Sequence, residues 1–126
     1  MPRKRLGALS PGESLLIARR RSGLNQQDMA GIFGVSVATL KRWESDERDV
    51  PKVRLRHIEA REWCFILRRR EGMLHHDVAA ALGLKAKWVH RAERGESGNL
   101  SPLVLFWETK LGITLPATTS AKAGVA

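Results

Sequence analysis

Arginine, histidine and a single cysteine are the residues of this chain with binding or reactive chemistry to offer. Arg19-Arg20-Arg21 and Arg68-Arg69-Arg70 are two runs of guanidinium groups, each able to fork onto a phosphate or a carboxylate. Either run serves equally well as a solvated helix face. His75-His76 brings two imidazoles together in sequence, yet neighbours on a helix point about 100° apart. No second His/Cys cluster stands elsewhere to complete a metal site. Cys64 lies in the apolar run 63–67, which fits a packed thiol. No nucleophile–base arrangement, glycine-rich phosphate loop or paired-carboxylate motif stands out. The expectation is a binding protein with no catalytic site, metal or cofactor.

Charge says what it would bind. Lys and Arg number 22 against 13 Asp and Glu, a net charge of +9. The basic excess is spread along the chain rather than gathered in a tail. A nucleic acid, an anionic membrane surface or an acidic protein would each fit. One cysteine excludes an intrachain disulfide and suits a reducing compartment. No apolar stretch approaches the roughly 20 residues needed to span a bilayer, and no signal-peptide pattern opens the chain. The expected location is cytoplasmic, at the nucleoid if the partner is DNA, with no membrane contact.

The elements that would position these side chains are all helical, since no segment sustains strand alternation. Residues 1–12 form a basic arm (Arg3, Lys4, Arg5) ending in the loop signal Ser10-Pro11-Gly12. Helices are expected over 13–21, from the N-cap Asn25 to Phe33, and from the N-cap Ser36 to Ser45, with Gly23 and Gly34 at the breaks. Residues 52–71 contain no breaker, and Val53, Leu55, Ile58, Trp63, Phe65 and Ile66 fall on a broad apolar stripe. This predicts one long helix, or two closely joined, fusing two units. Further helices are expected over 74–82 and 86–94, and another from Ser101-Pro102 to Gly112, seven or eight segments in a fold expected to hold about nine or ten helices. Residues 116–126 have too little apolar mass to fold and are expected to be a disordered tail. The implied division is an arm (1–12), a first unit (13–60), a second unit (61–115) and the tail.

The two units are copies. Residues 18–47 align without a gap on 67–96, forty-nine positions later, with ten identities that include Arg19/Arg68, Ala30/Ala79, Gly34/Gly83, Arg42/Arg91 and Glu44/Glu93. A repeat of this length is one supersecondary unit used twice. Two short helices that cross steeply need a small residue in the first, a residue tolerant of positive φ at the turn, and apolar residues facing inward. Ala30, Gly34 and Met29, Phe33, Val35, Leu40 and Trp43 satisfy those demands. Ala79, Gly83 and Val78, Leu82, Leu84, Val89 and Ala92 satisfy them again.

At these residues, GLNQQDMAGIFGVSVATLKRWESDE, the chain resembles the lambda-repressor-like, Cro/XRE family of helix-turn-helix DNA-binding domains. The resemblance covers 13–51 closely and 65–114 more loosely. His75-His76 stand where the first unit has Gln26-Gln27, and Lys85 stands where it has Ser36. The resemblance implies an all-α protein of two fused helix-turn-helix units, the last helix of each lying in the major groove of double-stranded DNA. In the first unit that helix would present Ser36, Val37, Ala38, Thr39, Lys41 and Arg42. Val37 and Ala38 would meet thymine methyls, and Arg42 a guanine edge or a phosphate. Gln26 matches a family phosphate contact. The second unit would present Lys85, Ala86, Lys87, Trp88, His90 and Arg91, with His75 in the phosphate slot. The family also implies structural ion pairs, Arg19 with Glu44 and Arg68 with Glu93.

The function so implied is sequence-specific transcriptional regulation, chiefly repression, of bacterial or bacteriophage type. A protein-interaction module is the rival, an antitoxin or an antiactivator whose second unit grips a partner through Trp88. Trp43, Trp63 and Trp107 are expected in the core. Whether the chain acts alone or as a homodimer stays open.

Overall fold

Capping side chains set most of the helix starts. Ser10 Oγ accepts the Glu13 N–H at 3.1 Å while Glu13 takes the Ser10 N–H at 2.9 Å, a reciprocal box that starts α1 (Pro11–Ser22) with proline in its first turn. Asn25 Oδ1 accepts the Asp28 N–H at 2.8 Å and starts α2 (Gln26–Phe33). Ser36 Oγ accepts the Thr39 N–H at 3.1 Å and starts α3 (Val37–Glu44). The Gly34 φ of 69° supplies the left-handed residue that closes α2 and turns the chain.

The computed structural model describes residues 6–47, 49–96 and 99–116. Among them the chain is all-α, with seven helices and no strand, fewer than the nine or ten expected. The basic arm Arg3-Lys4-Arg5 and all but the first residue of the expected tail lie outside the described residues. The chain divides into a unit at Gly7–His57 and another that takes in Leu6 and the residues from Ile58 onward, so the division falls a few residues before the boundary drawn at 60/61.

In the first unit α3 packs on α1 and α2. Leu15, Met29, Ala30 and Leu40 form its buried cluster, with Leu24, Val35, Val37, Trp43, Val50 and Val53 packed around them. Val53 belongs to a segment that the long-helix expectation misread. Residues 49–59 are not helical, and only Ala60–Arg70 forms a helix, α4. From Lys52 to Arg56 exposure alternates, with Val53 and Leu55 partly buried and Lys52, Arg54 and Arg56 exposed. That is the period of an extended chain laid on a core. Glu62 then takes the Glu59 N–H at 3.0 Å and fixes where α4 begins.

The second unit contains α4, α5 (His75–Leu82), α6 (Ala86–Glu93) and α7 (Ser101–Leu111). α6 packs on α4 and α5 as α3 does on α1 and α2, and α7 adds to both α4 and α5. Val78, Val89, Leu103 and Trp107 are fully buried here, along with Cys64 and Ile66. Its caps are poorer. Leu74 and Lys85 make no side-chain cap bond, although Asp77 accepts the Leu74 N–H at 2.8 Å. The repeat reaches further back than 18 and 67, because Ser10/Glu13 and Glu59/Glu62 start equivalent helices and Leu15-Leu16-Ile17 and Cys64-Phe65-Ile66 are buried in register.

Candidate nucleic-acid interface

One buried carboxylate organises each unit. In the first, Glu44 at the end of α3 receives Arg19 of α1 in a fork, Nε to Oε2 at 2.7 Å and Nη2 to Oε1 at 3.4 Å. Arg19 Nη1 also donates to the Leu24 carbonyl at 3.2 Å, so one guanidinium ties α1 to α3 and to the loop before α2. The second unit repeats the arrangement. Arg68 places Nε 2.7 Å and Nη2 3.0 Å from Glu93, and Nη1 3.1 Å from the Met73 carbonyl. The two ion pairs implied by the family resemblance are therefore made, each by a glutamate that is almost wholly buried.

Held this way, α3 and α6 turn one face outward. Ser36, Ala38, Lys41 and Arg42 are exposed in the first unit, and Lys85, Lys87, His90 and Arg91 in the second. Neither helix has an acidic residue in its first turn, whereas α1, α2, α4 and α5 each have one. An anion approaching the start of α3 or α6 meets the positive end of the helix dipole without a carboxylate in that turn.

Three expectations about individual side chains change. Val37 packs against the cluster of Leu15, Met29, Ala30 and Leu40, which leaves Ala38 as the exposed apolar residue on α3. Ser36 and Thr39 are engaged with each other, Oγ to Oγ1 at 3.0 Å, because Ser36 is the cap. Gln26 is not simply turned to solvent. Its Nε2 donates to Glu44 Oε1 at 3.0 Å, and His75 Nε2 lies 3.2 Å from Glu93 Oε1 in the same slot. Gln26 and His75 are thus anchored on the buried carboxylates, which a linear motif does not reveal.

His75 also meets His90 edge-on, with ring centroids 4.9 Å apart. Burial holds its pKa below the usual imidazole range and the Arg68 guanidinium adds to that, outweighing the opposing pull of Glu93. His76 points elsewhere, its Nε2 3.4 Å from Asp77 Oδ1.

The arginine runs have local partners. Arg21 donates to the His57 carbonyl, and Arg70 lies over the Trp63 ring at 5.6 Å. Arg69 lies over Phe65 at 6.0 Å. Trp63 and Trp107 are buried and Trp43 is partly buried against Phe33, at 5.5 Å edge-on. Trp88 is half-buried on α6. Burial pushes the Cys64 thiol up, and the Glu93 and Glu108 carboxylates push it further, so it stays protonated and unreactive in the fold.

One positioning residue carried no motif. Asp46 adopts a φ of 60° and accepts the Gly12 N–H at 2.7 Å and the Ser10 hydroxyl at 2.6 Å, clamping the start of α1 to the end of α3. Its repeat partner is Gly95, at φ 79°, and that glycine was the available signal for a left-handed slot. Among the described residues, no helix is long and apolar enough to cross a membrane. The chain matches no protein-family model, no curated protein and no solved structure.

Proposed function

We propose that this chain is a sequence-specific regulator of transcription, a repressor that acts by occupying its operator, with two helix-turn-helix units of lambda-repressor-like type. The observation that carries the reading is the pair α3 and α6. Both are exposed and free of acid in their first turn, both carry an arginine at the matched position (Arg42 and Arg91), and both are pinned by the same buried fork. A net charge of +9 supports a polyanionic partner. Lys41, Arg42, Lys87 and Arg91 supply phosphate and base-edge contacts, and the phosphate contacts make affinity fall steeply with salt. Two units in one chain raise avidity without requiring a dimer. The reading places the protein in the cytoplasm and assigns it no cofactor.

A salt-series selection from a randomised duplex pool tests this, with the bound fraction sequenced. The expected result is a recovered motif with two half-sites. Arg42→Glu is expected to weaken binding by about 1–3 kcal/mol or more and to lower the salt slope by about one. Sequence-blind binding that vanishes at physiological salt refutes the regulator.

The second reading, a module that binds a protein partner, draws on exposed apolar residues. Ile32 of α2 is 68% exposed and Leu74, before α5, is 57% exposed. A complex of that kind survives Arg42→Glu.

A further inference from the structure

The carboxylate that anchors each unit is met by different chemistry in the two copies. In the first unit Gln26 donates to Glu44, and Lys41 stands one helix away on α3. In the second, His75 takes the place of Gln26 and His90 that of Lys41, and the two imidazoles touch. An amide that gives one N–H to Glu44 has a second N–H for an incoming oxygen, and lysine is a fixed cation. Imidazoles are neither.

Glu93 decides the tautomer of His75. Both its oxygens accept from the Arg68 fork, at 2.7 and 3.0 Å, and a carboxylate so engaged only accepts. At 3.2 Å, the hydrogen between Glu93 and His75 therefore sits on His75 Nε2. A neutral His75 then carries a lone pair on Nδ1, which repels a phosphate oxygen. Protonated, the same nitrogen becomes a charged donor. His90 is exposed beside it, at the position that Lys41 holds in the first unit.

We propose that His75, seated between Glu93 and the ring of His90, forms a contact for a DNA backbone phosphate that is complete only when its imidazole is protonated, so that the second unit grips DNA more tightly as pH falls. This rests on the DNA-binding reading above. The groups acting on His75 are Arg68 from α4, and Glu93 and His90 from α6. α7, which also packs on α5, carries Lys110 and also Glu108, whose carboxylate holds the Leu115 N–H at 2.8 Å. His76, on α5 itself, lies beside Asp77.

The sign follows from burial and charge. In the free protein burial and Arg68 favour the neutral His75 ring, while a bound phosphate favours the protonated one. Binding therefore takes up a proton, and affinity rises as pH falls until His75 of the free protein is itself protonated. Each proton taken up changes Kd by at most about ten-fold per pH unit.

The test is fluorescence anisotropy with a fluorescein-labelled duplex of mixed sequence, because a backbone contact needs no operator. Ionic strength is held constant while pH runs from about 5.5 to about 8, across the imidazole range. The wild-type Kd is expected to climb with pH. His75→Gln with His90→Lys, which installs the first unit's side chains, is expected to flatten the curve near the wild-type low-pH value. His76→Gln is expected to keep the wild-type slope. The reverse exchange, Gln26→His with Lys41→His, is expected to steepen it, which keeps the test open if the first double variant folds poorly. Measurable binding with a flat wild-type curve, or a slope that survives His75→Gln with His90→Lys, overturns the proposal and leaves the DNA-binding reading standing. Absence of binding at every pH overturns both.

Discussion

Glu93→Ala removes the carboxylate on which the second unit's fork closes. Arg68 loses two charge-assisted hydrogen bonds, at 2.7 and 3.0 Å, and its side chain is only 11% exposed. Hydrogen bonds to charged groups contribute about 1.5–3 kcal/mol each, which brackets a loss of about 3–6 kcal/mol. Breaking one side of a buried pair costs about 3–5 kcal/mol, because the remaining charge is stranded. Arg68 keeps the Met73 carbonyl at 3.1 Å, so the lower half of that range is expected, about 3–4 kcal/mol. Urea titration reads this directly. Trp43 is the one tryptophan of Gly7–His57, so in a Trp43→Phe background the fluorescence of Trp63, Trp88 and Trp107 follows the second unit alone. With an m value of about 1–3 kcal/mol/M, the midpoint should fall by more than about 1 M. Replacing both partners, Arg68→Met with Glu93→Leu, should cost less than the two single changes summed, since no charge is left buried. A loss below about 1 kcal/mol for Glu93→Ala, or strict additivity in the cycle, refutes the view that this pair fastens α6 to α4.

Two further substitutions test how the helices are set. A Cβ on Gly12 would lie 2.4 Å from the Trp43 carbonyl and 2.8 Å from an Asp46 carboxylate oxygen. Gly12→Ala should therefore lower stability by about 1–3 kcal/mol in urea titration, and an unchanged midpoint would mean that α1 and the end of α3 are not in that close contact. Lys85→Ser gives α6 the cap that Ser36 gives α3, and should raise the second unit's stability in urea titration by about 0.5–1 kcal/mol. The same change should weaken DNA binding through the lost charge, and stability and affinity moving together would contradict the assignment of Lys85 to the interface.

Local chemistry was legible wherever one residue decides the backbone. Asn25, Ser36, Gly34, Gly83 and Gly112 mark helix ends that lie where their caps and turn conformations require. The segment before α4 was not legible, because Val53 and Leu55 fit a helical stripe and an extended alternation equally well over so short a run. Packing of Val53 against the first unit's cluster of Leu15, Met29, Ala30 and Leu40 decides it, and that is a tertiary fact. The side chains around Glu44 and Glu93 divide the same way. The arginine partners came with the resemblance, but the anchoring of Gln26 and His75 depends on a carboxylate eighteen residues on. Val37 turned inward for a similar reason, since a short helix against a small core buries part of its first turn. Asp46 shows that a repeat can be informative where a motif is silent, because its partner Gly95 has no side chain and shares the left-handed backbone.

The fork has one more consequence. It holds each outward helix from behind, through Arg19 or Arg68 and the glutamate at the helix end, and draws nothing from the exposed positions. Between residues 36–42 and 85–91 only the arginine at 42 and 91 is shared, while the arginine–glutamate fork beneath is the same. The supports and the outer faces are thus separable parts. Transplanting one face onto the other unit, or carrying the same face twice, alters what the protein presents while leaving the fork itself in place. One chain so built is a mount for two exchangeable heads, and a duplicated unit can change its outward chemistry while its fork stays fixed.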